Sequence, residues 1–422
     1  MSPLLGCIAD DVTGASDLAS ALTNGGMRTE LWLDGYQPAV VEPTVDAIVI
    51  ALKTRSIEAD DAVQRSLNAL QTLQACGVQQ ILFKYCSTFD STDTGNIGPV
   101  AEALMEALEA PYTIFCPATP ENGRTVYCGQ LFANGKLLHR SGMEHHPLNP
   151  MTESDLTVVL KRQSQRNVGL IPHPVVTQGA AAIASAFQSH VQQQRPLIVV
   201  DAIDEDDLQE IAKAVVTMPL VTSGSGLGAQ LPRAYYDAGM LPKRHRATTP
   251  PVGRGNALVL AGSCSAATRE QVAVWPAEWP SMGLDVAALL RGDLTLSAIA
   301  DWARDALRDR HALIYSSSSP ENVKANQNEL GTQRTASALE EVMGGVARAV
   351  VADGIQKLLI AGGETSGAVV RAIGLRRFRI GPAICPGVPW MESLDEPRLA
   401  IGLKSGNFGD AHFFRSALEM LP

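Results

Sequence analysis

The chain has 422 residues, 45 % of them hydrophobic and 18 % charged, which is material for two or three cored domains and not for a disordered polymer. Its formal net charge of -10 excludes the basic balance of a nucleic-acid binder, and no apolar run approaches the length of a membrane span. Seven scattered cysteines, never spaced C-x-x-C, argue against a disulfide framework or zinc site and for reduced thiols in a cytoplasmic protein.

Along the chain, short apolar runs alternate with helical patterns. Residues 4–9 read as a buried strand, followed by Asp10-Asp11-Val12-Thr13-Gly14 and a helix over 16–24 that Gly25-Gly26 ends. Strands are expected at 28–33, 45–51, 81–84 and 112–116, with helices over 60–75 and 97–109. A hairpin is expected across 125–132 and 136–139, and the alternation resumes at 197–223. Between 233 and 256, Lys243, Arg244, Arg246, Pro250, Pro251, Gly253 and Arg254 crowd a segment that reads as a linker. Residues 1–232 and 257–422 then form two α/β domains with mostly parallel sheets and an active-site cleft between them. In the second domain, strands are expected at 257–261, 312–316, 357–361 and 399–404, with helices over 334–352 and 368–373.

Ligands of open α/β sheets gather beyond the carboxyl ends of the strands, and the candidate residues lie there. In the second half three loops follow strands: Gly262-Ser263-Cys264-Ser265, Gly362-Gly363-Glu364-Thr365-Ser366-Gly367 and Ser405-Gly406-Asn407-Phe408-Gly409, the last preceded by Lys404. Their glycines let backbone N–H groups approach phosphate oxygens, and their hydroxyls add donors. None carries the Gly-Lys-Ser/Thr ending of a P-loop. Three together favour a nucleotide di- or triphosphate, while each alone could be a capped turn, with Ser263 or Ser265 as an N-cap.

The first half offers different chemistry. Asp10 and Asp11 suit a general base or contacts to substrate hydroxyls, one of them being accounted for by capping the following helix. Lys84 opens a polar loop through Ser87, Asp90 and Asn96 that suits a polyhydroxylated anion. Asn122 and Arg124 follow the strand at 112–116, and the guanidinium is a planar fork for a carboxylate. His145-His146 reads as part of an ordered or gating loop, because no metal-ligand partner stands at the right spacing.

Six of these segments, in order and across nearly the whole chain, resemble the four-carbon acid sugar kinase family. They are the stretch from Ile8 to Ala15, the loops 84–96 and 117–125, and the three glycine-rich loops. The resemblance implies an acid-sugar site lined by Asp10, Asp11, Lys84, Ser87, Asp90, Asn122 and Arg124. It implies a nucleotide site lined by Ser263, Ser265, Gly362, Gly363, Glu364, Thr365 and Gly406, with ATP and Mg²⁺ and transfer to a terminal hydroxyl. The displaced Asp90-Ser91-Thr92 and the segment Gly387-Val388-Pro389-Trp390-Met391 resemble the 3-oxo-tetronate kinase branch. Threonate or erythronate kinase of the same family is the alternative, and a non-catalytic sugar-acid sensor is the alternative of another class. Partners are then small molecules, with no nucleic acid and no membrane, and a homo-oligomer is compatible with the sequence. Asp10 or Asp11 is the expected base, with Asp410 as rival, and Lys84, Arg124 and Lys404 are the expected cations.

Overall fold

The computed structural model describes residues 2–36, 45–146, 149–242, 251, 253–316 and 332–421. It divides into two compact units, Met1–Ala247 and Thr248–Pro422. The division falls within the segment 233–256, whose central residues 243–250 and 252 lie outside the described ones. A helix occupies the start of that segment as far as Asp237.

In the first unit the chain alternates strand and helix: β1 (Leu5–Ala9), α1 (Val12–Asn24), β2 (Thr29–Leu33), β3 (Ala47–Ala51), α2 (Ala59–Ala75), β4 (Gln80–Lys84), α3 (Ile97–Ala107) and β5 (Thr113–Cys116). A small antiparallel sheet follows, made of β6 (Arg124–Tyr127), β7 (Gln130–Ala133) and β8 (Lys136–Leu137). Then come α4 (Leu156–Gln163), β9 (Val168–Ile171), α5 (His173–Val176), α6 (Ala180–Gln192), β10 (Leu197–Val200), α7 (Glu205–Val215), β11 (Leu220–Ser223) and α8 (Ser225–Asp237). The large sheet of this unit runs β2-β3-β1-β4-β11-β5-β10-β9, and its neighbours pair in parallel. Its central strands are apolar throughout rather than alternating, because helices cover both faces. Helix α1 packs on β2, β3 and α8, whereas α2 packs on β1 and α3.

That topology locates a crevice. The connection leaving β1 runs toward β2, away from β4, and the one leaving β4 runs toward β5, away from β1. The order therefore reverses between β1 and β4, which is where an open parallel sheet accepts ligands at its carboxyl edge. Opposite this logic of ligand binding, Asp201 at the end of β10 is structural. Its buried carboxylate accepts the N–H groups of Cys128 (2.6 Å), Gly129 (2.9 Å) and His173 (3.0 Å), and so ties the β6–β7 turn and α5 to the sheet.

The second unit contains β12 (Ala257–Ala261), α9 (Ala266–Ala273), β13 (Ser281–Gly283), α10 (Val286–Arg291), α11 (Leu296–Leu307) and β14 (Ala312–Tyr315). It continues through α12 (Thr332–Ala352), β15 (Lys357–Ala361), α13 (Gly363–Ile373), β16 (Arg377–Cys385), β17 (Val388–Ser393), β18 (Ala400–Lys404) and α14 (Phe413–Glu419). The sheet order is β13-β14-β12-β15-β18-β17-β16, parallel as far as β18 and antiparallel at β17. Trp390 on β17 is fully buried among Leu359, Phe413 and Phe414, and its indole N–H donates to the Ala417 carbonyl at 3.0 Å. The Gly387–Met391 stretch, a branch marker by resemblance, thus serves the core. Among the described residues no helix is long and apolar enough to cross a membrane.

Candidate active site

At the reversal point, register puts Ala9 of β1 beside Ala51 of β3 and Lys84 of β4. The residues that follow these positions therefore converge. Arg55, four residues beyond β3, grips Asp10 with Nε and Nη2, both at 2.8 Å. The same Nη2 donates to Asp11 at 2.5 Å. Lys84 Nζ lies 3.5 Å from Asp11 Oδ1. Backbone bonds fix the frame: Thr54 N–H and Arg55 N–H donate to the Asp10 carbonyl, and Asn96 Nδ2 donates to the Thr54 carbonyl at 2.6 Å. Gly14 is required here, since a Cβ at that position would sit 1.8 Å from Lys84 Nζ.

The two carboxylates are not equivalent. Asp10 has a side chain 4 % exposed, and burial pushes its pKa up against the opposing charge of Arg55. Asp11 is 24 % exposed; its burial is outweighed by Lys84 and Arg55, which hold its pKa at about 2. Asp11 also caps α1, its Oδ2 accepting Gly14 N–H at 3.1 Å, so the cap expected of one aspartate belongs to it. Helix α1 consequently starts at Val12, ahead of the expected residue 16. Asp11 is the carboxylate that a ligand can reach.

The loop after β4 turns at Ser87 and Thr88, with Ser87 half-buried, and brings Asp90 to a buried position. Asn122 is exposed on a 3-10 turn (Pro120–Asn122), and Arg124 Nη1 donates to the Asn122 carbonyl. Among the described residues no hydrogen bond or ion pair joins Arg124 or Asn122 to the Arg55 group, although all follow carboxyl ends of one parallel sheet. Arg124 Nε is buried without a partner.

In the second unit β12, β15 and β18 are parallel neighbours, in register at Ala261, Ala361 and Lys404. Their following loops are therefore side by side. Ser265 caps α9 through Thr268 N–H and donates its own hydroxyl to the Gly406 carbonyl at 2.6 Å. Ser263 Oγ accepts Ser265 N–H at 3.2 Å. Gly362 has φ +126°, with Ser263 N 3.1 Å from where a Cβ would lie. Helix α13 starts at Gly363, so Gly363, Glu364 and Thr365 form its first turn instead of a loop ahead of residue 368. Glu364 is exposed and Thr365 buried, and a Cβ on Gly363 would meet nothing within 4 Å. An open glycine surface over helix-turn N–H groups is what phosphate oxygens need. Gly362→Ala should raise KM for a nucleotide roughly tenfold through the strain of that φ, with little change in KM for the second substrate. Steady-state kinetics in both substrates checks it.

Residues 5–231 match the model of a sugar-binding N-terminal domain, and residues 258–414 that of a nucleotide-binding C-terminal domain. A Cupriavidus necator protein described as a 3-oxo-tetronate kinase is 48 % identical over 99 % of this chain and 97 % of its own length. The chain belongs to the four-carbon acid sugar kinase family. Within that family a 3-oxo-tetronate kinase of Burkholderia multivorans is 46 % identical, over 99 % of this chain and 97 % of its own. A crystal structure from Salmonella typhimurium LT2, provisionally described as a tRNA synthase, is 40 % identical with a TM-score of 0.92, covering 99 % of both chains.

Set against this family, two residues change standing. Arg55 escapes a reading of sequence clusters because Asp10 and Asp11 are 45 and 44 positions away. A signal for it exists, since Arg55 lies just beyond the carboxyl end of a buried strand, as Lys84 lies at the end of one. Lys404 is not a solvated cation waiting for phosphate. It is 1 % exposed and donates to Thr268 Oγ1 (3.0 Å), the Gly406 carbonyl (2.9 Å) and the Phe408 carbonyl (3.1 Å). Burial pushes its pKa down to about 8. Asp410, exposed, accepts His412 N–H and lies in the same loop.

Proposed function

We propose that this protein is an ATP-dependent kinase that phosphorylates the C4 hydroxyl of 3-oxo-tetronate. The observation that carries the reading is full-length similarity to curated 3-oxo-tetronate kinases at 42–48 % identity. The geometry supports it: an arginine, a lysine and two carboxylates at the crevice of the sugar-binding unit, and three abutting glycine-rich loops in the nucleotide-binding unit.

In this reading Arg55 and Lys84 offset the charge of the four-carbon acid, with Arg124 able to fork its carboxylate. Asp10 holds Arg55 in place. Asp11 accepts the hydrogen of the attacking hydroxyl. A carboxylate with a pKa of about 2 is a weak base. That suffices, because a loose phosphoryl-transfer transition state asks for positioning and charge neutralisation more than early deprotonation. Backbone N–H groups at Gly363 and Gly406, with Ser263, Ser265 and Thr365, cradle the phosphates, while Gly362 N–H donates to the Lys404 carbonyl at 2.8 Å and holds the turn in place. Arg269 on the first turn of α9, whose buried Nε has no hydrogen-bond partner, supplies the cation that Lys404 does not.

Among the described residues no group of three or more His, Cys, Asp or Glu forms a metal cage. Mg²⁺ borne on the nucleotide phosphates would be held by the exposed carboxylate of Glu364, and would neutralise charge on the transferring group.

The test is ADP release with 3-oxo-tetronate generated in situ, beside threonate and erythronate. Turnover with the 3-oxo acid is expected; turnover with the other two alone would overturn the substrate assignment. Asp11→Asn should lower kcat by roughly 10²–10⁴-fold while the fold is retained. A change below tenfold would remove Asp11 from this role.

A further inference from the structure

His146 and Asn149 come from the segment after β8, yet they end up against the loops of the crevice. Asn149 Nδ2 donates to Ser56 Oγ (3.0 Å) and to the Asp90 carbonyl (3.4 Å), and Ser91 N–H points to Met151 Sδ at 3.3 Å. Ser56 is next to Arg55, so Asn149 and Met151 lie against the β3 and β4 loops beside the Arg55 group.

Beneath these contacts, in the loop after β4, Asp90 is nearly buried, and its Oδ1 has no hydrogen-bond partner. A buried carboxylate oxygen left without a donor is costly, so the site is built for one to arrive. His146 Nδ1 lies 3.8 Å away and already accepts Asn149 N–H at 3.0 Å. With Nδ1 accepting, the neutral imidazole carries its proton on Nε2. Asp90 therefore receives nothing from His146. The pair presents one acceptor, Asp90 Oδ1, and one donor, His146 Nε2–H.

We propose that Asp90 and His146 together recognise the adjacent hydroxyl and ketone of an α-hydroxy ketone acid, Asp90 Oδ1 accepting from the C2 hydroxyl and His146 Nε2–H donating to the C3 oxygen. The inference rests on the kinase reading above and deepens it by naming how a 3-oxo acid is told from a 3-hydroxy acid. The partly exposed His146 is the selecting group. A ketone oxygen accepts only, so a fixed donor serves it, whereas a 3-hydroxyl brings a hydrogen that must find a further acceptor.

Three variants test this: His146→Ala, His146→Gln and Asp90→Asn, each compared with wild type for KM and kcat on 3-oxo-tetronate, threonate and ATP, with melting curves alongside. His146→Ala should raise KM for the 3-oxo acid about tenfold and cut its preference over threonate by a similar factor, at unchanged KM for ATP. His146→Gln, whose amide retains a donor, should keep most of that preference. Asp90→Asn should weaken both acids, because the C2 hydroxyl is common to them. Unchanged KM and preference in a folded His146→Ala protein would overturn the proposal, as would an equal loss for both acids in His146→Ala. A wild type that turns over only threonate would overturn the kinase's substrate assignment, and the hydroxy-ketone pattern with it; that failure is visible before any variant is made.

Discussion

Arg55→Ala is expected to abolish useful turnover, lowering kcat/KM for the acid by about 10³-fold, while nucleotide affinity stays within a few-fold of wild type. The asymmetry follows from where Arg55 stands. Its guanidinium closes on Asp10 at two points and on Asp11 at a third, inside the sugar-binding unit. Removing it leaves buried carboxylates with Lys84 as the remaining cation, 3.5 Å from Asp11. Breaking such a pair from one side costs about 3–5 kcal/mol, so chemical denaturation should show the loss independently of activity. Arg55→Lys should recover part of the stability but little of the turnover, since an ammonium does not reproduce the fork. The acid limb adds a second readout. Asp11 has its pKa depressed from 3.8 to about 2 in the folded chain, so its contribution to stability is present above pH 3.8 and is lost as pH falls through 2. Without Arg55 that depression shrinks, so Asp11's contribution should be smaller and its loss complete at a higher pH. A variant with wild-type acid unfolding and wild-type kinetics would show that Arg55 serves neither function.

Much of this architecture was legible in the residues, and the gaps have physical causes. Strands such as Leu5–Ala9 and Lys357–Ala361 are buried on both faces, so continuous apolar runs disclosed them. The antiparallel β16–β17 pair leaves no clear signal in the sequence, because Gly381-Pro382 interrupts the pattern. The structure accommodates the pair with a register shift between Ile380 and Ala383. Helix α13 starts earlier than its sequence suggests, since glycines at 362 and 363 read as loop although only Gly362 has a positive φ. The candidate loops were found because strand ends are where chemistry gathers. Their mutual order was not, because strand order β3-β1-β4 is a tertiary fact, and it alone brings Arg55 to Asp10 and Asp11. His146 reads in the sequence only as part of an ordered or gating loop for a related reason: its neighbours Asp90 and Asn149 acquire meaning only when Asn149 bridges residues 56 and 90.

Lys404→Met should raise KM for ATP by about 10²-fold, with the acid-binding unit undisturbed. Methionine fills much of the same volume, so the change isolates the ammonium's three bonds. Those bonds run to Thr268 Oγ1 on α9 and to the Gly406 and Phe408 carbonyls, and so clamp two of the three nucleotide loops together. Without them, acceptors in a buried site are stranded at a cost of about 1–3 kcal/mol each. The segment has a reserve, since Gln271 Nε2 also donates to the carbonyls of Phe408, Gly409 and Asp410. The variant should therefore fold with a lower melting temperature and a displaced Gly406. If Lys404 instead bound phosphate directly, its loss would weaken ATP without lowering stability, and that is the outcome that would reinstate it as a ligand. The alkaline limb separates the two roles further. Burial depresses the Lys404 pKa from 10.5 to about 8, so between these values the unfolded chain binds more protons than the folded one. The stability of the wild type must then rise with pH across that window, because the burial penalty on the ammonium is in full force below 8 and gone above 10.5. Lys404→Met lacks the rise, so the stability gap between the two proteins should widen from pH 8 upward.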